Sequence, residues 1–122
     1  MIRVPIKPLS VNRSYQGRRF ATPELTAYKQ ALGYLLPPLH IPKGKLSIKY
    51  IFGVSSKASD GDNLIKSFQD ALCEKYGFND RDIYRWEIEK KIVGKGDEYA
   101  AFEIIPYSSV ADEGNAWSVG VK

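Results

Sequence analysis

Disulfide chemistry is closed to this chain, because Cys73 is its one cysteine, and a lone thiol fits a reducing compartment. Cys73 falls beside Leu72 in a helical pattern with no histidine near it, so it reads as core packing and not as a nucleophile. Histidine is as scarce: His40 stands alone in a linker, without a second histidine or an acid pair, and reads as an ordinary loop residue. No run of about 18 apolar residues exists, which argues against a membrane-spanning helix. The amino terminus has no signal-peptide pattern, so the expected location is cytoplasmic, with no membrane partner. Internal repeats and low-complexity segments are absent too. Acid is nearly missing from the first half, where residues 1–59 hold ten Lys or Arg against the single Glu24.

What is present describes one ordinary globular unit. The 122 residues are 43% hydrophobic and 26% charged, enough for one domain with a real core and too few to expect two. The expected domain covers residues 1–107, and residues 108–122, which lack periodicity, read as a flexible tail. The net charge of +4 hides an asymmetry, since residues 60–122 carry eight basic and thirteen acidic side chains. A basic half beside an acidic one suits a metal-dependent nuclease, with cations to hold phosphates and acids to hold the metal. Basic loops are equally compatible with plain solvated surface.

The local patterns order the elements. Ile2-Arg3-Val4-Pro5-Ile6 alternates as a short strand, and Pro5, which cannot donate to a ladder, puts it at an edge. Residues 7–21 read as a polar loop in which arginines alternate with Tyr15 and Phe20; such a loop can bind phosphates and stack on bases, or merely pin itself to the body. Thr22 is a good N-cap and Pro23 a good first helical residue. Leu25, Tyr28, Leu32, Leu35 and Leu36 then recur at helical spacing until Pro37-Pro38 stops the helix. Residues 45–54 form the clearest strand, with Leu46, Ile48, Tyr50, Phe52 and Val54 alternating toward one face. A second helix buries Leu64, Phe68, Ala71, Leu72 and either Lys75 or Tyr76, with Gly77 as its C′ residue. Residues 82–93 and 98–106 read as two strands of a hairpin around Gly94-Lys95-Gly96-Asp97.

The stretch most loaded with chemistry is Ser59-Asp60-Gly61-Asp62-Asn63-Leu64-Ile65-Lys66, where the clearest strand hands over to the second helix. Asn79-Asp80-Arg81-Asp82-Ile83 answers it at the head of the supposed hairpin, and could approach Asp60 and Asp62 if the hairpin's first strand lies beside residues 45–54. A hard cation such as Mg²⁺ takes one or two carboxylates and completes its shell with waters and substrate phosphates. Crowded carboxylates repel unless a cation or protons neutralise them. A divalent ion held there polarises a phosphoryl oxygen, and Lys66 adds positive charge where the transition state gathers negative charge. The same residues also have an architectural reading. Asp60 or Asp62 can cap the helix and complement its dipole, and Lys66, four residues after Asp62, can be a surface partner worth roughly 0.2–0.5 kcal/mol. Calcium sensing does not fit, because an EF-hand frame starting at Asp60 would put Ile65 at the required glycine and Ala71 at the bidentate glutamate.

Taken together, these residues resemble a family. Asp60-Gly61-Asp62-Asn63-Leu64-Ile65-Lys66, Asp70-Ala71-Leu72 and Asn79-Asp80-Arg81-Asp82-Ile83 are similar to the D-x-D-N-x-x-K, D-A-L and D-D-x-Q-[IV] signature of RusA-type Holliday junction resolvases. Pro8-Leu9-Ser10-Val11-Asn12-Arg13-Ser14-Tyr15 resembles the family's P-x-S-x-N-x-x-Y opening, and the likeness spans most of residues 2–106. It implies an α+β fold: a small mixed β-sheet of about four strands with two main helices, in the order β-α-β-α-β-β. It implies a homodimeric, Mg²⁺-dependent endonuclease, with Mn²⁺ able to substitute, that cuts four-way DNA junctions symmetrically. By the same likeness Asp60, Asp62 and Asp80 are the metal-binding catalytic acids and Lys66 assists phosphoryl transfer. Asn12, Arg13, Arg18, Arg19, Lys57 and Asn63 would meet the DNA.

Two departures qualify the transfer. Asn79 takes the first acidic position of the D-D pair and Asp82 the position of a common glutamine, which leaves Asp82 as an alternative third ligand to Asp80. The approach to the acid pair, often richly basic in the family, offers only Lys57. Two other function classes compete with the enzyme: a junction-binding module whose acids only cap a helix, and an interaction protein with no nucleic-acid role.

Overall fold

In the computed structural model the described residues are 1–10, 15–16, 20–57 and 61–108, and of residues 15–16, 20–21 and 61–63 only the backbone is described. The expected tail from residue 108 therefore lies almost wholly outside the described residues. The chain runs β1 (Ile2–Val4), β2 (Tyr15–Gln16), β3 (Phe20–Ala21), α1 (Pro23–Leu35), β4 (Leu46–Val54), α2 (Gly61–Tyr76), a 3-10 turn (Asp80–Asp82), β5 (Ile83–Ile92) and β6 (Tyr99–Pro106). Four strands make one mixed sheet in the order β1-β6-β4-β5, matching the expected α+β layout, and β2 with β3 forms a separate two-stranded ribbon inside the stretch read as loop.

β4 is the middle of the molecule because both of its faces are apolar or small. Leu46, Ile48, Tyr50, Phe52 and Val54 face the helices, and Ser47, Ile51 and Gly53 on the other face are buried as well. A strand with two dry faces gains most by having neighbours on both edges. β4 pairs parallel with β5 and antiparallel with β6. The expected hairpin of β5 and β6 is therefore a correction: the two strands flank β4 and do not pair. The Gly94–Asp97 turn, closed by the Asp97 N–H donating to the Gly94 carbonyl at 2.9 Å, carries the chain past the end of β4 instead. A parallel pair needs a crossover of a dozen or more residues, and α2 provides it.

The helices close over one face. Thr22 caps α1, its hydroxyl accepting the Leu25 N–H at 3.2 Å, and Leu25, Tyr28, Leu32 and Leu36 are buried. Leu35, expected in that stripe, is 40% exposed, because the helix ends there and Leu36 takes the inward place. From α2 come Leu64, Phe68, Ala71 and Leu72. Phe68 meets Tyr50, Phe52 and Phe102 edge-on, each with ring centroids 5.8 Å apart. Gly77 ends α2 at a φ of 72°, its N–H donating to the Cys73 carbonyl at 2.8 Å. The opposite sheet face holds a small cluster of Ile51, Tyr99 and Ala101, with the Arg3 guanidinium 3.7 Å over the Tyr99 ring. Gly53 makes room for that ring, which a Cβ there would strike.

Candidate functional site

The residues singled out in the sequence fall at the two ends of α2. Asp62 and Asn63 lie in its first turn, directly after the loop that leaves β4; their side chains, and Asp60 altogether, lie outside the described residues, as do Asn12, Arg13, Arg18 and Arg19. Asp80 and Asp82 lie beyond the helix's other end, in the 3-10 turn that leads into β5. Because β5 runs parallel to β4, its first residue, Ile83, pairs with the first residue of β4, Leu46. β5 thus starts at the end of the sheet where β4 starts, which sets the Asp80 backbone at the opposite end of α2 from that of Asp62, while Asp60 lies outside the described residues. At 1.5 Å per residue the helix from Asp62 to Tyr76 is about 21 Å long, and this length separates the backbones of Asp62 and Asp80.

At the first end, hydrogen bonds across the fold tie down the residues that follow β4. The Ser55 hydroxyl donates to Glu98 Oε2 at 2.8 Å, and the Gly96 N–H donates to Glu98 Oε1 at 2.8 Å. The Glu98 carboxyl is held below the usual carboxylate range, first by its own backbone N–H and then by Ser55 and Gly96. Lys90 Nζ donates to the Lys57 carbonyl at 3.1 Å, which ties the loop to β5 while the Lys57 side chain stays exposed. Neither Glu98 nor Lys90 was visible as a site residue in the sequence, since both act on the loop across the fold and not through any local spacing. One turn into α2, Lys66 is exposed and its Nζ lies 3.8 Å from Asp70 Oδ2. Its i,i+4 partner there is Asp70, one turn further along than Asp62.

At the other end, Asp80 borders an open groove of about 320 Å³ lined also by Lys29, Asp70, Cys73, Glu74, Phe78 and Asn79. Asn79 caps the 3-10 turn, its side-chain oxygen accepting the Arg81 N–H at 3.1 Å, so the residue that departs from the D-D pair has a structural task. Lys29 Nζ holds Glu74 Oε2 at 2.9 Å. Cys73 is half-buried here, at the rim of this groove and not in the core as the sequence reading had it. Its thiol is pushed up to about 11, first by burial and then by the negative charges of Asp80, Asp70 and Glu74. Burial and these charges keep the thiol protonated at neutral pH. Among the described residues no group of three His, Cys, Asp or Glu side chains is placed to hold a metal ion, and none of the described helices is long and apolar enough to cross a membrane.

Between the ends, Gln69 is a polar link that the sequence did not announce. Its Oε1 accepts from the Tyr50 hydroxyl at 2.8 Å and from the Trp86 indole N–H at 3.0 Å, joining α2 to β4 and β5. No protein-family model matches this chain, and no curated protein matches it either.

Proposed function

We propose that this protein is a metal-dependent, structure-selective DNA endonuclease that acts on four-way junctions as a homodimer. One observation supports the reading: the Asp62 backbone lies in the first turn of α2, on the helix that follows the central strand, with Lys66 exposed one turn further in. The donor set suits a hard cation, being carboxylate throughout, and the one thiol near Asp80 is kept protonated and does not compete as a soft ligand. Asp60 and Asp62 would hold Mg²⁺, or Mn²⁺ in its place, with Asp80 as third ligand and Asp82 as the alternative. A set using all three acids takes Asp60 and Asp62 from one chain and Asp80 from a second. When bound, the ion would polarise the scissile phosphoryl group and offset its developing charge.

The remaining roles fall to side chains of the chain itself. Lys66, whose ion pair among the described residues is an exposed one with Asp70 at 3.8 Å, can swing toward a phosphate at small cost. Arg13, Arg18, Arg19 and Lys57 bind the DNA backbone, while Asn12 and Asn63 position it, a division that makes affinity depend on salt. A twofold protein suits a junction with twofold symmetry, because each protomer meets an equivalent strand.

A synthetic four-way junction with Mg²⁺ tests this reading. Paired, symmetric nicks are expected, lost with a chelator and in Asp62→Asn. Unchanged cleavage by Asp62→Asn would overturn the residue roles. A junction bound equally well with and without metal and left intact would favour the binding module, in which the acids only cap α2, and the absence of any salt-dependent DNA binding would favour the interaction protein.

A further inference from the structure

We infer that the outer edge of β5 is covered by the chain's own C-terminal segment, residues 117–121, added as a further strand of the sheet. β5 is ten residues long and, among the described residues, pairs on one side only, with β4. The residues opposite the buried Ile48, Tyr50 and Val54 emerge at the surface: Trp86 is 46% exposed, Ile88 37% and Ile92 51%. A long edge with apolar residues is a pairing template, and native sheets cover such edges. The opposite edge is blunted already, since β1 is three residues long and is followed by Pro5.

The place where the chain leaves the sheet identifies the occupant. β6 runs antiparallel to β4 and β5 runs parallel to it, so β6 finishes at the end of the sheet where β5 starts. There the Tyr107 N–H donates to the Lys45 carbonyl at 2.9 Å, and the Tyr107 ring lies 5.5 Å from that of Tyr84, the second residue of β5. Residues 109–122 follow, outside the described part. Their last stretch, Trp117-Ser118-Val119-Gly120-Val121, alternates apolar with small or polar residues, the period of a strand with one buried face. To reach the free side of β5 the chain must pass β4 and β5, three strand spacings or about 14 Å, and residues 108–116 can span about 30 Å. That reach covers the crossing but not a further trip along β5, itself about 33 Å long, so the added strand runs parallel to β5 from its starting end. Trp117, Val119 and Val121 then lie on the helix side, against Trp86 and Ile88. The crossing carries Asp112 and Glu113 past the exposed Lys43 and Lys45, in a region where residues 25–59 hold no acid.

Hydrogen exchange of the full chain, read without DNA or metal, tests this contact apart from the nuclease reading. In the wild-type chain the β5 amides that do not bond to β4 should be protected. Val119→Pro, which removes a ladder donor, should lower that protection roughly tenfold or more while the β4 and β6 amides keep theirs. Trp117→Ser should act in the same direction, and Val119→Ile, which keeps an apolar strand former, should leave the protection unchanged. β5 amides that exchange freely in the wild-type chain, or that are protected equally in Val119→Pro and Trp117→Ser, would overturn the inference. Protection that falls on dilution would give the edge to a second copy and overturn it as well.

Discussion

The two ends of α2 carry the same kind of side chain in opposite electrostatic settings. At the N-terminal end Asp62 sits in the first turn, where the helix dipole favours negative charge. At the C-terminal end Asp70, Glu74 and Asp80 gather around one groove, where the dipole opposes them and Lys29 is the cation that binds Glu74. An acid at the first end is explained by helix stability alone. Acids at the second end are not, and that is where a functional account has more to explain.

The widest effect comes from removing what joins the two ends. Phe68 is fully buried and touches three other rings, so Phe68→Ala should cost about 3–5 kcal/mol, read by chemical denaturation. Both ends would lose their order together. Next, charge removal separates function from architecture. Asp62→Asn and Asp80→Asn should each lower junction cleavage about a hundredfold or more. Their melting should differ, however: Asp62→Asn loses about 0.3–1 kcal/mol of dipole stabilisation, whereas Asp80→Asn is neutral or slightly stabilising. Equal destabilisation by the two would erase the contrast.

Cys73 reports the charge of the second end. With its thiol pushed up to about 11, alkylation by iodoacetamide should be slow at pH 7 and climb until the pH reaches that value; Asp80→Asn should shift the profile to lower pH. The sign for stability follows. A thiol raised from an ordinary 9.0 contributes fully below that value, and its contribution is lost as the pH rises from 9.0 toward about 11. Glu98 reports the first end with the opposite sign. Its carboxyl is lowered from 4.5, so its hold on Ser55 and Gly96 persists above that pH and weakens as acid protonates it. The protection of the Gly96 amide against exchange, relative to its intrinsic rate at each pH, should fall as acid protonates Glu98 below the usual carboxylate range, the smallest change in this set.

Much of the fold was legible because local rules decide it. Thr22-Pro23 opening α1, Gly77 closing α2 and the alternation along β4 each follow from neighbours within a few residues. The supposed hairpin failed because Gly94-Lys95-Gly96-Asp97 has hairpin chemistry in either topology, and nothing in it records which strands will pair. Leu35 failed because periodicity marks a face without marking where a helix stops. The acids, Lys66 and their spacing could be read directly. The ties made by Gln69, Glu98 and Lys90 could not, since each spans residues far apart in the chain.

By itself the sequence determined the elements, their order, the buried faces and the set of carboxylates available for chemistry. Those depend on backbone propensity and on which side chains avoid water, and both act over a few residues. Only the tertiary structure decided that β5 runs parallel to β4 on one side while β6 takes the other. That choice is made by burying both faces and both edges of one central strand, and it is what sets the backbones of Asp62 and Asp80 at opposite ends of a helix and puts β5 at the edge of the sheet among the described residues.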